Sequence, residues 1–419
     1  MSLLLLLRQT AAASVGIALA TAKAEISWSA APRGSFVLNT SALDSTATLG
    51  ISAFDDAFGG PYDDITPYLD EITIESGRSD DIALLNESSC TLVLRDRTGL
   101  FSAENPASPL YSDIAARLHP VRVSMTVAGT TYRQFYGWAR RIRWQPRRRS
   151  GYTTIECVDL LYWLRRTSPT IAATGPTTVG AAIGLILDAV GWIDPAMRSI
   201  ATGDPIANFS ADGSKTALTL IQELLDFERG VFWVSGSGVA TYETRHARAL
   251  KLTAGTIANE MQAVGPGVDA DRVRTKVTVT RTGGVPQVVE DAAAANLWGP
   301  SDGDSIVSSY LASDAQAAEL GNYVISQTKS PRSPLRSLEF DGRTTALLTQ
   351  LLAREFGDKV TVTEAAGGTA GSFHVEQRRL KVSAGSRLVE GSWIVSRASA
   401  NTVFVVDTSA LDSGAVVAY

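Results

Sequence analysis

The chain is 419 residues long, with 45% apolar and only 19% charged residues, a balance that excludes a disordered chain and points to a globular protein of roughly two to four domains. Lys and Arg total 38 against 43 Asp and Glu, a net charge of -5 that gives no general attraction to nucleic acid or to an anionic membrane. Two cysteines exclude a disulfide framework and a four-thiolate zinc site, and His119, His246 and His374 are far apart and form no ligand pair.

At the amino terminus, Leu3 to Leu7 form an apolar run, and the Ala-rich stretch Thr10 to Ala24 ends in Ala22-Lys23-Ala24, which has the small-x-small form of a cleavage site. No positive charge precedes the leucines, Arg8 interrupts the run, and no window reaches the roughly 18 apolar residues that span a bilayer. Residues 1–50 therefore read as an arm or docking strand, with a secreted chain starting near Glu25 as the competing expectation.

From Ile72 to about Val158 the apolar positions alternate with polar ones, as in half-buried strands. Val121, Val123, Met125 and Val127 share one face while Arg122, Ser124 and Thr126 share the other; Ile72 with Ile74 and Leu92 with Leu94 repeat the arrangement. Tyr136, Trp138, Ile142 and Trp144 continue it, with Gly137 as a bulge. Cys90 alternates with Leu92 and Leu94, and Cys157 with Ile155, so both thiols are expected to be reduced and buried. These strands predict a small barrel or sandwich over 51–168.

The period then changes. Val179, Ile183, Ile186, Leu187 and Val190 lie on one helical face, capped by Thr177 or Thr178 and ended by Gly191. A second helix starting near Ser214 aligns Leu218, Ile221, Leu224 and Leu225 and stops at Gly230 in a left-handed conformation. Val231 to Val234, a Ser235-Gly236-Ser237-Gly238 turn and Val239 to Arg245 read as a hairpin, so 169–250 is an α+β helix-helix-hairpin module. Over 251–419 strands return, interrupted by one helix with Ser313 and Gln316 at capping-box spacing and another carrying Leu347, Leu348, Leu351, Leu352 and Phe356, ended by Gly357. The fold class is a β-rich, multidomain α+β protein with the helical module inserted between two β-rich segments. Phe36 to Ser45 and Phe404 to Ser413 are near-duplicates, FVLNTSALDS and FVVDTSALDS; the two expectations are that both seat against similar sheet edges, with a neighbouring subunit as one option for either, or that they are two similar strand-and-turn endings within one chain.

The strongest charge feature runs from Arg140 to Arg149, with Arg140, Arg141, Arg143, Arg147, Arg148 and Arg149 around Ile142 and Trp144. Alternation places Arg141 and Arg143 on the wet face of a strand and the last three at a solvated tip; contact with an acidic partner subunit or with DNA are the alternatives. Asp55-Asp56 and Asp63-Asp64 lack the spacing of a calcium loop and read as turn-capping carboxylates. His374 and Glu376 alternate on the polar face of a strand and read as an exposed pair without a nucleophile. No phosphate-binding or nucleophile-elbow motif is present. No catalytic, cofactor-binding or metal residue is assigned, and no cofactor is expected.

Three motifs in order, Asp64-Ile65-Thr66-Pro67-Tyr68-Leu69, Ile72 to Arg78, and Thr91 to Phe101 with its Arg95-Asp96-Arg97-Thr98-Gly99 core, resemble the opening of minor tail proteins of tailed bacteriophages. The likeness continues through Phe135-Tyr136-Gly137-Trp138, Glu156-Cys157-Val158-Asp159-Leu160-Leu161, Leu187 to Trp192, and Ala217 to Arg245, spanning roughly residues 60 to 400. The resemblance implies a baseplate or tail-tip hub of a siphophage virion: a homo-oligomer, usually a trimer of barrel-like domains, that closes the tube until DNA ejection and serves host attachment. The implied partners are a distal tail or tube protein, the tape-measure protein and a fibre or receptor-binding protein, with DNA contact only during its passage. A tail-associated envelope hydrolase and a secreted β-rich adhesion protein are the alternative functions.

Overall fold

The computed structural model describes residues 20–28, 62–78, 87–111, 118–146, 150–258, 261, 263–265, 273–303, 305–329, 335–364, 369–383, 388–398, 403–404 and 416–417. Asp55-Asp56, Arg147 to Arg149, and both FV-TSALDS segments apart from Phe404 lie outside them.

The first seven strands are β1 (Thr21–Ile26), β2 (Asp63–Asp64), β3 (Leu69–Gly77), β4 (Ser89–Arg95), β5 (His119–Val127), β6 (Thr130–Pro146) and β7 (Gly151–Asp159). They join strands from the far end of the chain in a 13-stranded sheet. Its path runs Ala263–Gly265, Ser337–Asp341, Leu388–Arg397, Thr369–Ser383, β3, β4, β7, β6, β5, β1, β2. Lys359–Glu364 pairs with the early half of Thr369–Ser383, and Thr253–Ala258 runs parallel to it as an outer strand. The β-rich α+β class expected from the sequence is what the fold shows, with the strands in an open path and not a closed barrel.

Alternation decides which residues are inside. Ile72, Ile74, Leu92, Leu94, Val121, Val123, Met125, Cys90 and Cys157 are all buried on one face. The helix Thr345–Ala353 covers that face, with Leu348 and Leu352 in the core of the first strands and Leu347 and Leu351 in the core of the late ones. Residues 21–26 form a strand paired along its full length with β5, and Ala22 and Ala24 are buried there.

Five β-bulges interrupt the main sheet among the described residues, and three of them bear on the site. Gln134 is the extra residue between the pairs Val123↔Phe135 and Ser124↔Arg133; Arg140 is the extra residue between Ala139↔Cys157 and Arg141↔Glu156. Glu376 is the third, between Val375↔Val395 and Gln377↔Ile394. Gly137, expected as the bulge, is instead regularly paired on both sides. A side chain there would collide with the carbonyl of Val158, so close approach of β7 is what calls for glycine. A bulge exchanges the two faces of a strand. Tyr136 and Trp138 accordingly turn towards a second core, while Ile142 returns to the sheet core, where the sequence had placed all of them on one face.

That second core is built by the helices Leu161–Arg166, Val179–Ala189, Ala217–Glu228 and Asp314–Thr328, the hairpin Val231–Val234 and Ala240–Glu243, and the small sheet of Lys276–Arg281, Gln287–Glu290 and Ile306–Ser308. Thr178 caps the helix Val179–Ala189, accepting from Ala181 N, and Ser313 caps Asp314–Thr328, accepting from Gln316 N, as their spacing predicted. The helix expected from Ser214 begins at Ala217 behind Thr216 and ends at Arg229, which takes the left-handed conformation (φ 59°) expected of Gly230. Gly230 is needed for packing, since a side chain would press on Glu243 O and the Tyr242 ring. Phe356 and Gly357 lie beyond the end of the Thr345–Ala353 helix, in the turn that leads to Lys359–Glu364.

Candidate functional site: the polar seam between two cores

The bulge at Glu376 and the bulge at Gln134 both aim their side chains into the seam where the second core meets the sheet. Glu376 is fully buried. Its Oε2 accepts from Arg78 Nε at 2.8 Å, and its Oε1 accepts from Arg248 Nη2 and from Ser396 Oγ. Arg78 follows β3, Arg248 sits on the helix Arg245–Leu250, whose Arg245 bonds Glu228 O in the second core, and Ser396 is on the neighbouring strand, so one carboxylate ties that helix to two parts of the sheet. Burial alone would raise its pKa; the charges of Arg248 and Arg78 and the donors from Ser396 and Arg78 override that and hold it at about 2. Backbone geometry reinforces the joint: Arg78 N donates to Glu376 O at 2.7 Å, and Gly77 (φ 106°) has no room for a side chain against that carbonyl.

His374 and Glu376 were expected as an exposed pair, and the structure corrects this: both are buried. The face that carries them is covered rather than wet: Arg248 donates to Glu376, and its charge also acts on His374. His374 is held neutral, its pKa pushed down to about 3 by burial first and the Arg248 charge second. With its carboxylate engaged by two arginines and a hydroxyl, the pair is not poised for proton transfer.

Beside this joint lies a small cavity of about 30 Å³, lined by residues including Gln134, Tyr136, Asp159, Ser235, Glu355 and Arg378, with room for a water or two. Arg378 donates to Arg354 O at 2.6 Å and to Gln134 Oε1 at 2.7 Å, and Gln134 Nε2 donates to Leu352 O at 3.0 Å. Glu355 accepts from Gly236 N in the hairpin turn at 3.2 Å, and its pKa is raised by burial. Asp159, where the chain passes from β7 into the helix Leu161–Arg166, accepts from Ser88 N at 2.9 Å and Leu161 N at 3.0 Å. Burial outweighs those donors and pushes its pKa up to about 7. The only apolar patch described on the seam as a cluster of its own is Val231, Trp233 and Phe356, with Trp233 edge-on to Phe356 at 5.3 Å.

Within the second core, Glu228 is buried beneath the Tyr242 hydroxyl, which donates to it; burial first, and the nearby Asp204, raise its pKa to about 7. Arg245 donates to Glu228 O at 3.0 Å and pairs with Asp204 at 2.7 Å. His119 contacts Ser27 O at 3.2 Å, and His246 lies 3.9 Å from Asp204. Cys90 and Cys157 face each other across β4 and β7 as free thiols, with Cys90 pushed upward in pKa by burial and by its neighbour. Among the described residues no group of His, Cys, Asp and Glu is arranged to hold a metal ion.

Arg141 and Arg143 stand on the outer face, as the alternation predicted, and both bond to Glu156 of β7; Arg140 Nη2 is 4.0 Å from the same carboxylate. Asp64 caps a turn by accepting from Thr66 N at 2.9 Å. The sequence reading missed Arg78, Arg248, Gln134 and Arg378. A signal was present: apolar residues fall on odd positions at Phe373 and Val375 and on even ones at Leu380 and Val382, and that change of parity marks a bulge between them.

No family model and no curated protein matches this sequence. Solved structures do. The tail protein from Neisseria meningitidis MC58 aligns over 81% of this chain and 94% of its own, with a TM-score of 0.54 at 12% identity. The prophage MuSo2 43 kDa tail protein from Shewanella oneidensis aligns over 80% and 95%, with a TM-score of 0.53 at 13% identity. A chain of the Francisella PdpA-VgrG complex aligns over 92% of this chain but 54% of its own, with a TM-score of 0.51 at 9% identity. Among the described residues no helix is long and apolar enough to cross a membrane. The resemblance first carried by the order of short motifs is borne out at the level of architecture: this chain has the fold of phage tail proteins.

Proposed function

We propose that the chain is a non-enzymatic structural component of a phage tail, a tip hub that assembles with copies of itself and joins the tube to fibre or receptor-binding proteins. The observation that carries this reading is the shared fold, which extends over nearly the whole of two tail proteins. The sheet itself supports it. Among the described strands the open path ends at Ala263–Gly265 on one side, with Thr253–Ala258 as the outer strand of a branch, and at β1 and β2 on the other, and edges without a described neighbour offer backbone donors and acceptors to a neighbouring subunit. A trimer, with the distal tail and tape-measure proteins as further neighbours, is the assembly this reading expects. The domain limits expected from the sequence, near 50, 168 and 250, go with this proposal and are testable by limited proteolysis.

The hydrolase alternative stands second because its best candidates, His374 and Glu376, are buried and the carboxylate is fully engaged. The secreted alternative would need cleavage after Ala24, which would remove Thr21 to Ala24 of β1 from their pairing with β5. Electron microscopy of virions labelled with an antibody to this chain tests the proposal: signal at the end of the tail is expected. Absence of the chain from purified particles, together with turnover of purified cell wall by the protein alone, would overturn it.

A further inference from the structure

The two halves of the molecule keep separate apolar interiors. Residues 160–242 and 277–325 contribute the buried side chains of one, joined by Trp138 from β6; the sheet and the helix Thr345–Ala353 contribute the others. Away from Trp138, Tyr136 and Leu118, which pack into the helical core, what joins the halves across the seam is polar: Arg248 on Glu376, Gly236 on Glu355 and Lys251 near Asp358, around a cavity with room for water. The apolar cluster Val231, Trp233 and Phe356 adds only three side chains. Polar, hydrated contacts between packed bodies break and reform at low cost, whereas a shared apolar core does not.

The polar groups on the seam are also incompletely matched. Arg248 Nη1, Arg378 Nε and His374 Nδ1 are buried without a hydrogen-bond partner. Donors left unsatisfied in this arrangement gain partners in any arrangement that admits water, which narrows the free-energy gap between closed and open seams. Opposing this is Glu376, whose removal would leave Arg78 and Arg248 as uncompensated buried charges. Where the chain crosses the seam beyond Arg248, Leu250 and Leu252 are exposed, the latter at 86%, and what holds the connection is polar: Lys251 Nζ pairs with Glu243 at 2.6 Å and lies 3.9 Å from Asp358.

We propose that this seam is a hinge on which the helical half turns against the sheet, and that the Glu376 carboxylate between Arg78 and Arg248 is its latch. The joint is closed while the latch is intact, and opening it exposes the cavity lined by Gln134, Glu355 and Arg378. Trp138 belongs to β6 of the sheet and reaches into the helical core, so it marks the side about which that half turns.

Spin labels on Thr130→Cys in the β5–β6 turn and Asn296→Cys on the helix Ala292–Trp298 place one probe on each half. Both sites are exposed, and the two native cysteines are buried and will not label. Pulsed dipolar spectroscopy on the full chain should give one narrow distance, and Glu376→Gln should add a second population. Hydrogen exchange at Gly236 N, whose bond to Glu355 crosses the seam, should speed up roughly tenfold or more in that variant, with amides of the helix Ala217–Glu228 and of β5 unchanged. Glu75→Gln, which removes a surface partner of Arg379 on the sheet's outer face, should leave both readouts at wild-type values. If Glu376→Gln fails to fold, Arg248→Gln, which removes one cation of the latch and leaves Arg78 on the carboxylate, serves in its place with the same expected direction. An unchanged distance distribution in the folded variant, or exchange that accelerates equally in both cores, overturns the hinge and leaves Glu376 as a structural ion pair.

Discussion

Glu376 and the pair Asp159 and Glu228 titrate in opposite senses. Glu376 is held at about 2, below its ordinary value of 4.5, so the stability it contributes is present above 4.5 and disappears as pH falls towards 2. Asp159 and Glu228 are raised to about 7 from 3.8 and 4.5, so their contribution is complete below those ordinary values and is lost as pH rises through 7. Stability should therefore fall between pH 5 and pH 8, by about 1 to 3 kcal/mol, read as the urea midpoint across that range. Glu228→Gln, which still accepts from Tyr242, should flatten part of the slope; an unchanged slope would remove Glu228 from the account. At Gly77 both the positive φ and the Glu376 carbonyl exclude a side chain, and Gly77→Ala should cost about 2 to 4 kcal/mol in the same measurement.

Helix ends give sharper expectations than helix interiors. Arg229 holds a left-handed conformation that costs a side-chain-bearing residue free energy, so Arg229→Gly should stabilise the protein by about 0.5 to 1 kcal/mol, seen as a raised thermal midpoint. Ser313→Ala removes the acceptor for Gln316 N and should destabilise by about 1 kcal/mol. The Ser313 cap was legible because such a cap is local: a hydroxyl, three residues and an amide. So were β5 and the burial of Cys90 and Cys157, where strict alternation needs no knowledge of neighbours. The bulges at Gln134, Arg140 and Glu376 were not, because one extra residue reverses every later assignment of inside and outside. The partners of Glu376 were still less accessible, since Arg78 lies 298 residues away and Arg248 lies 128 away. Composition gives no hint of which distant arginine closes on which carboxylate.

On the scale of the molecule, the main sheet draws strands from both ends of the described chain: β3 pairs directly with Thr369–Ser383. Contacts of such long sequence separation form late and slowly, so refolding of the full chain should be slow relative to a small helical domain. Two interiors meeting at a polar seam also make a single cooperative transition an unsafe assumption. Exchange monitored at Trp192 in the helical core and at Trp393 in the sheet core should give separate denaturation midpoints, and coincident midpoints would mean that the halves unfold as one.

The far half of β6 has one further consequence. β5 accompanies β6 only as far as Ala139, so Arg141 to Pro146 pair with β7 and, among the described strands, have no neighbour on the other side. Three arginines share one glutamate there, and a proline that lacks an amide proton ends the row. Surplus like charge and a missing donor deter an identical ribbon from stacking alongside. Exchanging Arg141 and Arg143 for threonine should turn a clear concentrated solution into one that seeds fibrils, with thioflavin fluorescence rising with protein concentration.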